Sequence, residues 1–400
     1  MFEDGTNYGA VVQKKREAMN WSRALLAKEY GDALGEEIKE ETIRMYEQRN
    51  LLPTKHLNRR AILAALLGLT PMALGIAVRP KVPPLLVAPA VNVAATVDVR
   101  EYRSALARYW QQGADGALDE VAQRMVSLHN QMPYVRGKDH QEVVRLLCGF
   151  NTVAGEALNA LGFPETADRY HARAIRLAHE KEQYDLEGFA RWQRASKLVD
   201  IGEYDVALRD LRRAKLLEKK LPGPLNGYVT SMLSMARAFT AQDKTDVAEA
   251  MAFAKEAEQA IGEPIECNSD VLRFDRVRHV LNLSIVFVAP PSQSLHQPNE
   301  TIELIGAEMP YFEETLVEQY RQIFCAVIQA RAYLDKGDYP YATNLLIDVL
   351  ALSEEIHSLV HLPDVEALYY RLKETSYANS VGVARLSVAL TRVKYPELFY

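Results

Sequence analysis

Apolar residues return at spacings of three and four along most of the chain, and no alternating pattern persists, so the periodicity predicts an all-α protein. Three such runs open it: Tyr8 to Met19, a second starting at Ser22, and a third containing Glu41 to Gln48. Ser22 is a good N-cap, because its hydroxyl can accept an amide hydrogen that the first helical turn leaves unpaired. Next comes an uncharged run from Ala61 to Val78, 18 residues long and preceded by Arg59 and Arg60. That length would just cross a bilayer. Gly68, the Thr70-Pro71 pair and Gly75 instead divide it into two short helices that close a small helical domain, and no membrane span is expected. From Arg79 to Asp98 four prolines interrupt any helical period. The expected division is therefore a domain at 1–78, a proline-rich linker at 79–98 and a helical region at 99–400.

Within the helical region a pattern returns about every forty residues, the length of a two-helix repeat. Its clearest copy is Ala195-Ser196-Lys197-Leu198, then Gly202-Glu203-Tyr204, then Ala207, Leu211 and Ala214. A small residue lets two helices approach, the glycine turns the chain, the aromatic covers the turn, and the alanines admit the next helix. Gly155, Leu158, Gly162, Ala167 and Ala174 fit the same register, as do Ala330, Tyr333, Gly337, Tyr339 and Ala342. Weaker copies include Ala107, Trp110, Gly113 and Leu118, then Ala236, Phe239, Asp243 and Ala248, and a last one on Ala384; the segment 262–313 is the least regular. At these positions the chain resembles the tetratricopeptide (TPR) repeat family, without that family's tryptophan and most of its closing prolines. The resemblance implies a TPR-like α-solenoid.

The N-terminal segment Trp21-Ser22-Arg23-Ala24-Leu25-Leu26-Ala27, followed by Tyr30-Gly31 and by Thr42-Ile43-Arg44-Met45-Tyr46-Glu47 with Pro53 beyond, resembles the Cro/repressor-type (XRE) helix-turn-helix family. This resemblance covers residues 8–78 and implies a helix-turn-helix DNA-binding domain. The helix at Ser22 would then cross the backbone of double-stranded DNA, and the helix around Lys39 to Glu47 would enter the major groove. Leu26, Ala27, Ile43 and Tyr46 are expected in its core. Arg23, Lys39, Thr42, Arg44, Gln48 and Arg49 are the expected DNA-binding residues, arginine for guanine edges and lysine for phosphates. The sequence departs from the family in two ways. Asp32 to Glu41 forms a longer spacer, and Arg23 stands where a glutamine is common.

Net charge of -6 excludes a uniformly basic nucleic-acid coat, and residues 1–60 carry 11 Lys/Arg against 10 Asp/Glu, so DNA contact would have to be local. The acids Glu36, Glu37, Glu40 and Glu41 beside the reading helix keep open an alternative, a non-DNA-binding TPR scaffold for protein partners. A third reading is an adaptor anchored in a membrane through 61–78. The first residues lack a secretory signal pattern, and Cys148, Cys267 and Cys325 form no paired motif, which fits a cytoplasmic chain. Phosphate-loop, dinucleotide, zinc-protease and serine-hydrolase motifs were sought and none is present, and the histidines form no ligand spacing. No enzyme activity, cofactor or metal site is expected. Pairs such as Glu313-Glu314 and Glu354-Glu355 read as solvated helix faces.

A solenoid offers a groove lined by the first helix of each repeat. In the repeat register Arg108, Gln111, Thr152, Glu156, Asn159, Trp192, Arg237 and Arg331 face inward and are the expected peptide-binding residues. Arg108, Arg237 and Arg331 have Glu156 as the one matching acid in that register, which favours an acidic or carboxylate-ended ligand. The combined architecture resembles the RRNPP group of peptide-sensing bacterial regulators. That resemblance implies transcription regulation in response to a quorum-sensing peptide, by a homodimer.

Overall fold

The computed structural model describes residues 7–53, 56–78, 98–112, 115–267, 270–272, 274–308, 316–356 and 358–399. Eighteen α-helices account for nearly all of the described structure, so the protein is all-α. In chain order they are α1 (Tyr8–Ala18), α2 (Arg23–Leu34), α3 (Glu40–Arg49), α4 (Leu57–Leu66), α5 (Val99–Gln112) and α6 (Leu118–Gln131). Next come α7 (Gly137–Ala160), α8 (Pro164–Glu180), α9 (Tyr184–Asp200), α10 (Tyr204–Lys215), α11 (Gly223–Phe239) and α12 (Lys244–Glu258). The last six are α13 (Arg276–Val286), α14 (Pro298–Glu308), α15 (Leu316–Lys336), α16 (Tyr339–Glu355), α17 (Leu362–Lys373) and α18 (Val381–Lys394). One short antiparallel hairpin interrupts the series, β1 (Ile265–Cys267) paired with β2 (Asp270–Leu272), within the segment whose repeat pattern is weakest.

Packing divides the chain into two compact units. One comprises residues 1–81, 319–357 and 361–400, and the other 82–318 with 358–360. The expected linker at 79–98 lies, except for Asp98, outside the described residues. The units differ from the division drawn along the chain, because the C-terminal helices pack with the N-terminal ones. Ala384 and Val388 on α18 join the core formed by Leu26, Tyr30, Ile43, Leu63 and Leu66. Leu398 packs against Ala61 and Ile76. Polar links reinforce this: the Trp21 indole donates to the Asn379 carbonyl at 2.9 Å, and Arg385 pairs with Glu29 at 2.9 Å. Ala61 to Leu67 are all buried, and the helix that holds them stops at Leu66, before Gly68 in the left-handed region and a 3-10 turn at Pro71–Leu74. Among the described residues no helix is long and apolar enough to cross a membrane.

In the other unit, from α7 onward, successive helices pack on one another, and α7 also touches α9, α9 touches α11, and α11 touches α13. The turn residues explain this alternation. Gly202 and Gly162 leave α9 and α7 at φ of 81° and 84°, a conformation that costs glycine little and other residues more. Ala167, Ala174, Ala207 and Ala214 are fully buried where α8 and α10 meet their neighbours, as their register predicts. Gly113 of the weaker copy lies outside the described residues.

Candidate functional site

The candidate residues fall in two groups, one on or beside α2 and α3 and one on the helices from α5 to α15. In the N-terminal group the Ser22 hydroxyl accepts from the Leu25 amide at 3.0 Å and so caps α2. Gly35 ends that helix at φ 70°, with its amide returned to Asp32 and the next to Gly31. The long spacer noted in the sequence is therefore taken up by the last turn of α2 and the loop at 36–39. Leu26, Ala27, Ile43 and Tyr46 are buried as expected, with Tyr30 packed edge-on against Tyr46. Asn50 closes α3 at φ 52°, and its side chain accepts from the Gly9 amide at 2.9 Å, which ties α3 to α1.

The six expected DNA-binding side chains do not share one environment. Lys39, Arg44, Gln48 and Arg49 are exposed, and Thr42 is half-buried on the first turn of α3. Arg44 pairs with Glu41 at 2.6 Å with both side chains more than half exposed, a contact that solvent or phosphate can replace at little cost. Arg23, also expected to read DNA, differs in being ion-paired to a buried acid. Its Nε donates to Glu47 at 2.6 Å, and Glu47 is fully buried between Arg23 and Arg16. The Glu47 carboxylate raises the Arg23 pKa above its ordinary value. An arginine holding a buried carboxylate is part of the framework, since freeing it would remove one of the two guanidinia that compensate that charge.

The expected inner-face residues also separate. Arg331 belongs to the unit that contains the N-terminus, whereas Arg108, Gln111, Thr152, Glu156, Asn159, Trp192 and Arg237 belong to the other. The premise that these arginines lack acids needs correction. Arg237 binds both Asp246 and, at 2.6 Å, Glu249, while Arg108 stacks over Tyr109 and approaches Glu120 at 3.5 Å. The acids come from α12 and α6, which the inward register did not include. Thr152 is fully buried and donates to the Cys148 carbonyl at 3.0 Å, and Asn159 is buried too, so neither lines an open surface. Gln111 is exposed.

Glu156 enters a buried polar cluster instead. It accepts from Lys197 at 3.0 Å and lies 3.7 Å from His171, which is fully buried against Gly155. Burial and the nearby Lys197 and Arg194 push the His171 pKa down to about 3, so the ring is neutral. Alongside, Asp210 accepts from Arg191 at 2.7 Å and from Arg194 at 3.0 Å, while Arg191 also holds Glu187 and Arg194 also holds Asp168. This ladder stitches α8, α9 and α10 together. Burial raises the Cys148 thiol to about 12, which leaves it unreactive. Among the described residues no group of acids, histidines or cysteines could hold a metal ion.

Trp192 is the expected residue that the structure places in a distinctive setting. A continuous aromatic series runs Trp110, Phe189, Trp192, Tyr228 and Phe274, with neighbouring ring centroids 4.4 to 5.8 Å apart. Arg278 extends its guanidinium over the Tyr228 ring, 5.8 Å from the centroid. Sequence reasoning missed Tyr228, Phe274 and Arg278. A local signal was available in Asp275, which caps α13, its carboxylate accepting from the Arg278 amide at 2.8 Å. No protein-family model and no curated protein matches the chain.

Proposed function

We propose that the chain is a DNA-binding transcriptional regulator, a helix-turn-helix head joined to a TPR-like solenoid that senses a peptide or protein segment. The observation that carries the reading is the α2–α3 pair. Its first helix is side-chain capped, its core residues are those expected of a reading head, and Lys39, Arg44, Gln48 and Arg49 face solvent from one short helix and its cap. Such a helix offers both a bidentate reader of guanine edges and a phosphate contact. A homodimer acting in the cytoplasm is the assembly in which two such heads would meet two half-sites.

The test is retention of DNA fragments from around the protein's own gene. Arg44→Ala is expected to weaken a specific fragment by about 1–3 kcal/mol, while Lys39→Ala weakens all fragments alike. Arg23→Ala should act on stability more than on base preference, because Glu47 loses a partner. Four exposed acids, Glu36, Glu37, Glu40 and Glu41, support a second reading, a scaffold whose head docks on protein. Failure of the parent protein to retain any fragment would favour that scaffold.

A further inference from the structure

Most arginines of the second unit that were located above meet an acid; Arg278 does not. Its side chain makes no ion pair with a described residue, its Nε is buried without a hydrogen-bond partner, and its guanidinium lies over the face of Tyr228. On the same ring, at 4.4 Å between centroids, lies Trp192, whose indole N–H is likewise buried without an acceptor. His279, next along α13 and 95% buried by its 5% exposure, has an unpartnered Nδ1 beside Phe274. A buried donor left unpaired costs about 1–3 kcal/mol, so the Arg278 Nε–H and the Trp192 indole N–H on one ring are a standing penalty that a bound acceptor would remove.

We infer that Trp192, Tyr228 and Arg278 form a binding site for the carboxylate of an apolar ligand, with the half-buried Trp110 and Trp192 rings receiving its body. The chemistry follows from the donor set. Indole N–H and guanidinium donate and cannot accept, while an ionised carboxylate only accepts. Water, which must also donate, fits donors alone less well. The forked guanidinium over an aromatic face suits a planar carboxylate in bidentate contact, and the charge-assisted bonds are shortest and strongest where water is scarce. The half-buried rings of Trp110 and Trp192 supply apolar surface next to that charge, with the buried Phe189 ring packed against both. This inference rests on the reading of the helical unit as a ligand-binding domain and not on DNA binding by the head.

The shared chemistry has two sources, the C-terminus of an apolar peptide and a free aromatic acid. The full chain is titrated with a short acetylated apolar peptide bearing a free carboxylate, with the same peptide as its C-terminal amide, and with indole-3-acetate. Binding is read by calorimetry and by tryptophan fluorescence, since Trp110 and Trp192 are two of the three tryptophans. At least one acid is expected to bind, and a bound peptide acid should exceed its amide by about tenfold or more. Which acid binds identifies the source. Arg278→Gln is expected to abolish that preference, Trp192→Phe to weaken the acid several-fold with the ring retained, and Arg212→Gln, an exposed arginine on α10, to change nothing.

Absence of binding by both acids, or equal binding of acid and amide by the parent, overturns the inference, and neither result depends on a variant folding. Equal losses from Arg278→Gln and Arg212→Gln overturn it as well. The regulator reading fails separately. If an acid binds as described and no DNA fragment is retained with or without it, the site stands and the regulator falls. If DNA retention responds to a peptide while both acids and the amide show no binding, the regulator stands and this site falls.

Discussion

Each unit buries a carboxylate between two arginines, and the two arrangements differ in what stands behind them. In the N-terminal unit Glu47 on α3 holds Arg16 of α1 and Arg23 of α2. Among the described residues Arg23 has no other acid within ion-pair reach, and the alternatives for Arg16 are the half-exposed Glu17 and the Trp21 carbonyl. In the helical unit Asp210 on α10 holds Arg191 and Arg194, but each of these keeps a further acid, Glu187 or Asp168. One unit concentrates its charge pairing on a single group that joins three helices. The other distributes it along neighbouring helices.

The largest expected effect tests that contrast directly. Glu47→Ala should destabilise the N-terminal unit by about 3–5 kcal/mol, because two arginines are left beside an empty buried site. Asp210→Ala should cost the helical unit less, about 1–3 kcal/mol, since both guanidinia remain paired. Denaturant unfolding of the full chain, followed by Trp21 fluorescence for one unit and Trp110 and Trp192 for the other, measures both. Equal losses would show that the second acids do not share the load.

A smaller effect concerns pH and is confined to the helical unit. His171 is neutral in the folded protein down to about pH 3, whereas the unfolded chain protonates it near 6.5. The unfolded state therefore binds the extra proton between those values, and stability falls as the pH drops through that window, by about 1.4 kcal/mol per unit at most. Above about 6.5 the contribution is complete. His279 is pushed in the same direction by burial, so the diagnostic quantity is the difference between the parent and His171→Gln. Melting temperatures taken at about pH 7.5, 6 and 5 should fall more steeply in the parent than in His171→Gln. Parallel curves would show that the ring is hydrated or protonated in the folded state.

The smallest effect tests the attachment of the C-terminal helices to the N-terminal core. Trp21→Phe removes the hydrogen bond to the Asn379 carbonyl and should cost about 1 kcal/mol, read from a denaturation midpoint. No change would mean that Ala384, Val388 and the Arg385–Glu29 pair hold α18 without help from that hydrogen bond.

What the sequence determined by itself is local. Helices, the Ser22 cap, the turn glycines, the buried alanines and the break at Gly68 and Pro71 all follow from residues within a few positions of one another, where backbone sterics and helical period decide. The core residues Leu26, Ala27, Ile43 and Tyr46 were legible for the same reason. The pairing of charges was not. Arg237 looked free because its acids sit on the companion helix, and Arg23 looked like a reader because Glu47 lies 24 residues away. Arg385 meets Glu29 across 356 positions, and the orphaned Arg278 and Trp192 share a ring only because α9, α11 and α13 pack together. Whether a charge is satisfied depends on what tertiary packing brings within about 4 Å, and no periodicity along the chain encodes that distance.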